Sequence, residues 1–215
     1  MTMTPTEIMS ELYGMFPNAG CELDYESVFQ LAVAVILSAQ TTDKAVNEIT
    51  PALFARFPDA ASLASGDVGE IEEYIKRIGL FRNKAKNLKG FAEELTSRFD
   101  SVLPSDSKEL QSLPGIGRKT ANVIQAVGFQ IPALAVDTHV ERVSHRLALV
   151  SVKANLLQTE LTLKKKIPEN QWIQAHHTLL FFGRYKCKAL RPLCEDCPFT
   201  SICRYQLQKN RNQLK

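Results

Sequence analysis

Apolar residues recur every three or four positions along nearly the whole chain, and no stretch shows the strict alternation of a half-buried strand. The pattern predicts helices over residues 5–16, 25–38, 43–57, 67–77, 82–99, 106–112, 118–127, 137–149, 152–165 and 168–183. Asp24, Asp43 and Asp137 stand where a carboxylate can accept the free N–H groups of a helix start. Pro58, Gly79, Pro104, Pro114-Gly115 and Pro132 punctuate the gaps. The expected class is all-α. The longest apolar run, residues 28–39, is interrupted by Gln30 and Ser38. It falls short of the roughly 20 apolar residues of a membrane span. Residues 1–10 hold no basic stretch followed by an apolar one, so the default expectation is a cytoplasmic protein without membrane attachment.

Composition adds little to this picture, but charge placement adds more. The 215 residues are 45% hydrophobic and 23% charged, ordinary values for one large globular domain or two small ones. The net charge is only +3. From residue 164 onward, however, 11 Lys or Arg face three acids, whereas the rest of the chain holds 15 basic and 20 acidic side chains. A basic end on a slightly acidic body points to a polyanion such as nucleic acid. A solvated basic tail is the plainer alternative.

That basic end also carries four of the five cysteines. Cys187, Cys194, Cys197 and Cys203 follow a C-x6-C-x2-C-x5-C spacing. Disulfides are rare in the cytosol, so a thiolate-bound metal centre is the stronger reading. Zinc sites usually present two short C-x2–4-C pairs, and here only Cys194 and Cys197 make one. The wider outer spacings favour a [4Fe–4S] cluster with a structural role, with zinc as the rival. The loop would present Lys186, Lys188, Arg191 and Arg204 to phosphates. Cys21, far from the others, reads as a small core residue.

Leu113-Pro114-Gly115-Ile116-Gly117 separates two helical patterns. Pro114 stops the first, and the glycines permit a tight turn before a helix near Arg118. Such a helix–hairpin–helix aims backbone N–H groups of Gly115 and Gly117 at a phosphate and reads no base. Lys119 falls in the first helical turn, where the positive helix end and Arg118 both disfavour an ammonium. The neutral amine is a nucleophile; a protonated lysine would instead bind phosphate. Asp137, in Ala135-Val136-Asp137-Thr138-His139-Val140, is a natural helix cap. A cap can also face a cleft, stabilise a developing sugar cation and relay protons. A carboxylate close to Lys119 would favour its ammonium form, against the helix effect. His139 reads either as a phosphate or pocket contact or as a packed structural histidine.

Together these segments resemble the endonuclease III family of DNA glycosylases. The resemblance rests on Leu113-Pro114-Gly115-Ile116-Gly117-Arg118-Lys119-Thr120-Ala121, on Val136-Asp137-Thr138-His139-Val140 and on the cysteine loop. Leu37-Ser38-Ala39-Gln40-Thr41-Thr42-Asp43 and Ile78-Gly79-Leu80-Phe81-Arg82-Asn83-Lys84-Ala85 extend it over nearly the whole chain. It implies a two-lobed helix–hairpin–helix fold. A six-helix barrel lobe would cover residues 21–131 with its hairpin at about 106–127. A second lobe would join 1–20 to 132–215 and carry a [4Fe–4S] cluster in the 187–203 loop. It implies a bifunctional glycosylase and abasic-site lyase, acting as a monomer on damaged or abasic duplex DNA in the bacterial cytoplasm, at the nucleoid. Lys119 would be the nucleophile and Asp137 its assisting carboxylate. Gln40 would fill the gap left by a flipped oxidised pyrimidine and Leu80 would wedge the duplex, offsetting the cost of unstacking. Gly115, Gly117, Arg118, His139, Lys188 and Arg191 would contact DNA. Many relatives carry Glu where this chain has Gln111, a difference that bears on substrate preference. Two rivals stand beside this reading. An adenine-mismatch glycosylase normally lacks the lysine and adds a C-terminal domain. A non-catalytic DNA-binding module would need no Lys119–Asp137 pair.

Overall fold

The computed structural model describes residues 3–213. They are helical, with no strand among them. They form two compact units, one of residues 22–131 and one joining the segment up to Cys21 to the segment from Pro132 onward.

The second of these begins with α1 (Pro5–Met15), closed by a reciprocal cap: Thr4 accepts from the Glu7 amide and the Glu7 carboxylate accepts from the Thr4 amide. Ile8, Met9 and Leu12 of α1 lie in a core with Leu134, Val140, Val143, Leu163, Leu179 and Phe182. Those partners come from the segment beyond residue 131.

The contiguous unit runs through α2 (Val28–Leu37), α3 (Asp43–Asn47), α4 (Thr50–Arg56), α5 (Ala60–Ser65), α6 (Val68–Ile75), α7 (Phe81–Phe99), α8 (Ser107–Ser112) and α9 (Arg118–Val123). Every residue from Leu31 to Leu37 is buried, so this part of α2 is surrounded on all sides, as seven successive apolar residues require. Against it lie α7, α9 and the π-helical turn Ile124–Gly128 that prolongs α9. Phe29 stacks on Phe91 of α7 at 6.1 Å between ring centres.

The segment from Pro132 completes the unit that α1 begins, as α10 (Thr138–Arg146), α11 (Leu156–Lys166), α12 (Trp172–Phe181) and α13 (Arg204–Gln213). A π-helical turn, Phe182–Lys186, leads from α12 into the cysteine loop.

Several expected boundaries need correction. Asp24 does not cap α2; Ser27 does, three residues later, through its hydroxyl and the Gln30 amide. Thr42, not Asp43, caps α3. The single helix expected over 43–57 is two, because Pro51 falls in the first turn of α4 and cannot continue a preceding ladder. Helix α10 stops at Arg146, and Ala148 lies in the left-handed region just past it. Helices α5 and α13 carry too short or too polar a pattern to announce themselves, yet both form.

Candidate functional site

The hairpin is built as its residues dictate. Asp106 caps α8 by accepting from the amides of Lys108 and Glu109, and Leu113 ends that helix buried. Gly115 then adopts φ +79°, and a Cβ there would stand 3.2 Å from Ile36 and from Asn87. The left-handed backbone favours glycine, and the space beside it is tight. Gly117 differs from expectation: its backbone is extended and a Cβ there would meet open space, so only the cap position is fixed. Lys119 follows in the first turn of α9, exposed. Arg118 is exposed beside it. Gln111 curls back on α8, donating to the carbonyl and hydroxyl of Ser107 at 3.0 Å each.

Two tips in the same unit share an unusual backbone. Gln40 (φ 55°) and Leu80 (φ 59°) are exposed, left-handed and not glycine. Leu80 is 57% exposed although it is an apolar residue at the start of a 19-residue helix. Left-handed non-glycine residues are uncommon, and persist where the surroundings enforce them.

In the other unit, Asp137 caps α10. Its Oδ1 accepts from the amides of His139 (2.9 Å) and Val140 (2.8 Å), and Oδ2 stays outside the cap. The approach to it is held by His176, whose Nδ1 lies 2.8 Å from the Ala135 carbonyl. His139 is partly buried. Its Nδ1 pairs with Nη2 of Arg142 at 3.1 Å, and its Cβ would meet any side chain at Gly183. Glycine at 183 is what lets the first turn of α10 come this close.

The four cysteines come together. Cys187 and Cys203 are buried, Cys194 and Cys197 partly so, and all four line one pocket. None is in a disulfide. Burial pushes the thiol pKa of Cys187 up, partly offset by the guanidinium of Arg146, which donates to its Sγ at 3.3 Å. Burial also raises that of Cys197. Among the described residues no three His, Cys, Asp or Glu side chains are grouped to hold one ion. Phe182 and Phe199 meet edge to face at 5.6 Å, buried beside the loop.

Sequence reasoning missed what fastens this loop. Arg142 donates to the carbonyls of Cys187 (3.1 Å) and Gly183 (2.7 Å). Arg146, one turn on, donates to those of Lys188 (2.9 Å) and Ala189 (3.2 Å). The signal was present as two arginines four residues apart, which share one face of α10. Arg204, expected at a phosphate, instead donates to the carbonyls of His145 (3.1 Å) and Val150 (2.7 Å). Lys188 and Arg191 are exposed on the loop, Arg191 with φ 51°. Cys21 is only partly buried, not a core residue.

Residues 33–169 match the family described as HhH-GPD superfamily base excision DNA repair protein. Endonuclease III of Bacillus subtilis is 45% identical over 96% of this chain and 94% of its own length. That of Synechocystis is 47% identical over 92% and 90%. A solved structure of endonuclease III trapped as a covalent intermediate with DNA is 43% identical, with a TM-score of 0.93 over 98% of this chain and all of that one. The helical fold, the Leu113–Gly117 turn and this likeness across nearly the whole length lead to one assignment: the chain belongs to the endonuclease III family of HhH-GPD base excision DNA repair proteins.

Proposed function

We propose that Lys119 is the nucleophile and Asp137 the assisting carboxylate of a bifunctional DNA glycosylase and abasic-site lyase. The activity and its partner, duplex DNA, follow from the family. The observation that carries the residue assignment is an exposed primary amine in the first turn of the helix that opens from the hairpin. A relative trapped covalently on DNA calls for a protein nucleophile of this kind.

An oxidised pyrimidine leaves the stack, and Gln40 and Leu80 take up the space and the unstacking. The Lys119 amine attacks the sugar C1′ as the glycosidic bond breaks and the base departs with the bonding pair. The new C1′–N centre gives up one proton to the departing base, and the C1′–O4′ bond then breaks with its pair on O4′, which takes up a proton, leaving a protonated imine. That imine acidifies the C2′ proton; its removal forms the C2′–C3′ double bond and expels the 3′ phosphate, and water frees the lysine. The Oδ2 of Asp137, outside the helix cap, is the oxygen suited to stabilise positive charge on the sugar and to carry protons.

Cys187, Cys194, Cys197 and Cys203 are the residues that would hold a [4Fe–4S] cluster. The four thiols line one pocket, and their C-x6-C-x2-C-x5-C spacing favours the cluster over zinc, which usually takes two short C-x2–4-C pairs. When bound, the cluster supplies positive charge that neutralises the thiolates and so holds the loop in shape. Lys188 and Arg191 on that loop, with Gly115, Gly117 and Arg118 at the hairpin, are assigned to phosphates. His139, tied to Arg142, is assigned to packing behind Asp137.

Borohydride trapping tests the central claim. The protein is expected to form a covalent adduct with abasic DNA, and Lys119→Ala to form none. An adduct that survives the substitution assigns the chemistry to another amine. No adduct with the unaltered protein leaves a DNA-binding module.

A further inference from the structure

Lys84 is 4% exposed, and a buried lysine is rare unless paired. It stands one turn into α7, where its amide donates to the Leu80 carbonyl at 3.0 Å. Its ammonium reaches a different segment: Nζ donates to Oγ1 of Thr41 at 2.6 Å. Thr41 follows Gln40 directly, and closes the turn by donating its amide to the Ser38 carbonyl at 3.0 Å. The same hydroxyl leans on the Ala39 carbonyl at 3.4 Å. The side chain of Lys84 thus joins the two tips that share left-handed backbone.

As a stabilising element this is poor. A neutral hydroxyl offsets little of the cost of removing an ammonium from water. Burial accordingly lowers the pKa of Lys84. An apolar side chain of similar length would fill the space without that cost. What the amine adds is direction: a short bond to one atom of one turn.

We propose that Lys84 is a positioning residue that fixes the Gln40 tip to the Leu80 tip, so that plug and wedge enter the duplex as one unit. The proposal rests on the reading of those two residues as the DNA-invading pair. Lys84 touches no reacting atom; it acts through the backbone on which the other two are mounted. The linkage matters where a base must be extruded, and not where the abasic sugar already lies in single-stranded DNA.

Lys84→Met keeps the length and removes the amine; Thr41→Val removes the acceptor and leaves Lys84 in place. Single-turnover base removal from duplex DNA should slow about tenfold in either, a modest misplacement effect. Cleavage of a preformed abasic site in single-stranded DNA should stay within about twofold. The double variant should be no slower than either single one, since both cut the same link. Wild-type duplex rates in Thr41→Val, or equal slowing on both substrates, overturn the proposal, and Thr41→Val decides it alone if Lys84→Met does not fold. Gln40→Ala and Leu80→Ala separate the two layers. If both remove bases at the wild-type rate, the reading of the tips falls and the linkage with it. If both are slow while Lys84→Met and Thr41→Val are not, the linkage alone falls.

Discussion

Asp137 is observed as a helix cap and proposed as a catalytic carboxylate. One oxygen accepts both cap bonds, and the proposal gives the other to the sugar. Asn caps helices about as well as Asp. Asp137→Asn should therefore keep its melting temperature and its DNA affinity while base removal slows by roughly 10²-fold or more, the range of a lost acid–base group. Equal losses in binding and turnover would reduce the residue to a cap. His177 offers a second test. It is buried, its Nδ1 has no hydrogen-bond partner, and burial lowers its pKa below the ordinary 6.5. The unfolded chain therefore takes up this proton before the folded one does. Stability should fall as pH drops below about 6.5 and level off once pH passes the folded value. His177→Phe should flatten that part of a melting-temperature profile; an unchanged slope would assign it to other groups.

At the scale of elements, the legible parts are those with a chemical reason at a fixed spacing. The hairpin, the cap at Asp137 and the cysteine loop can be read because proline, glycine, carboxylate and thiol each do one local job. The caps at Ser27 and Thr42 escape such a reading because a nearby aspartate competes for the same role in sequence but not in geometry. The left-handed state of Gln40 and Leu80 leaves no trace in composition, since neither is a residue that prefers it. The burial of Lys84 and the inward-turned arginines of α10 are invisible for another reason: long polar side chains look solvated until their partners are known. Lys188 and Arg191 are exposed cations of the loop. Replacing either by Ala should reduce the dependence of log affinity on log salt by about 0.9. A slope that does not move removes that residue from the footprint.

In the unit that joins residues up to Cys21 to those from Pro132, the cysteine loop is fastened to a neighbouring helix. Four carbonyls of the segment 183–189 are held by Arg142 and Arg146, so the shape of the loop is coupled to α10 and hence to Asp137. If the proposed [4Fe–4S] cluster is present, iron removal by a chelator under reducing conditions should abolish visible absorption and lower the melting temperature by several degrees, as expected when a bound group stabilises only the native state. DNA affinity should fall in parallel. A colourless protein that carries zinc instead would overturn the cluster assignment.

The two units also differ in how their chains are threaded. Residues 22–131 are continuous, whereas the apolar stripe of α1 finds its partners only beyond Pro132. On the ribosome, Ile8, Met9 and Leu12 therefore emerge long before anything exists to cover them. At roughly 5–20 residues per second the wait lasts several seconds or more. Residues 22–131 are all synthesised before those partners, so the apolar stripe of α1 stays uncovered by them until then.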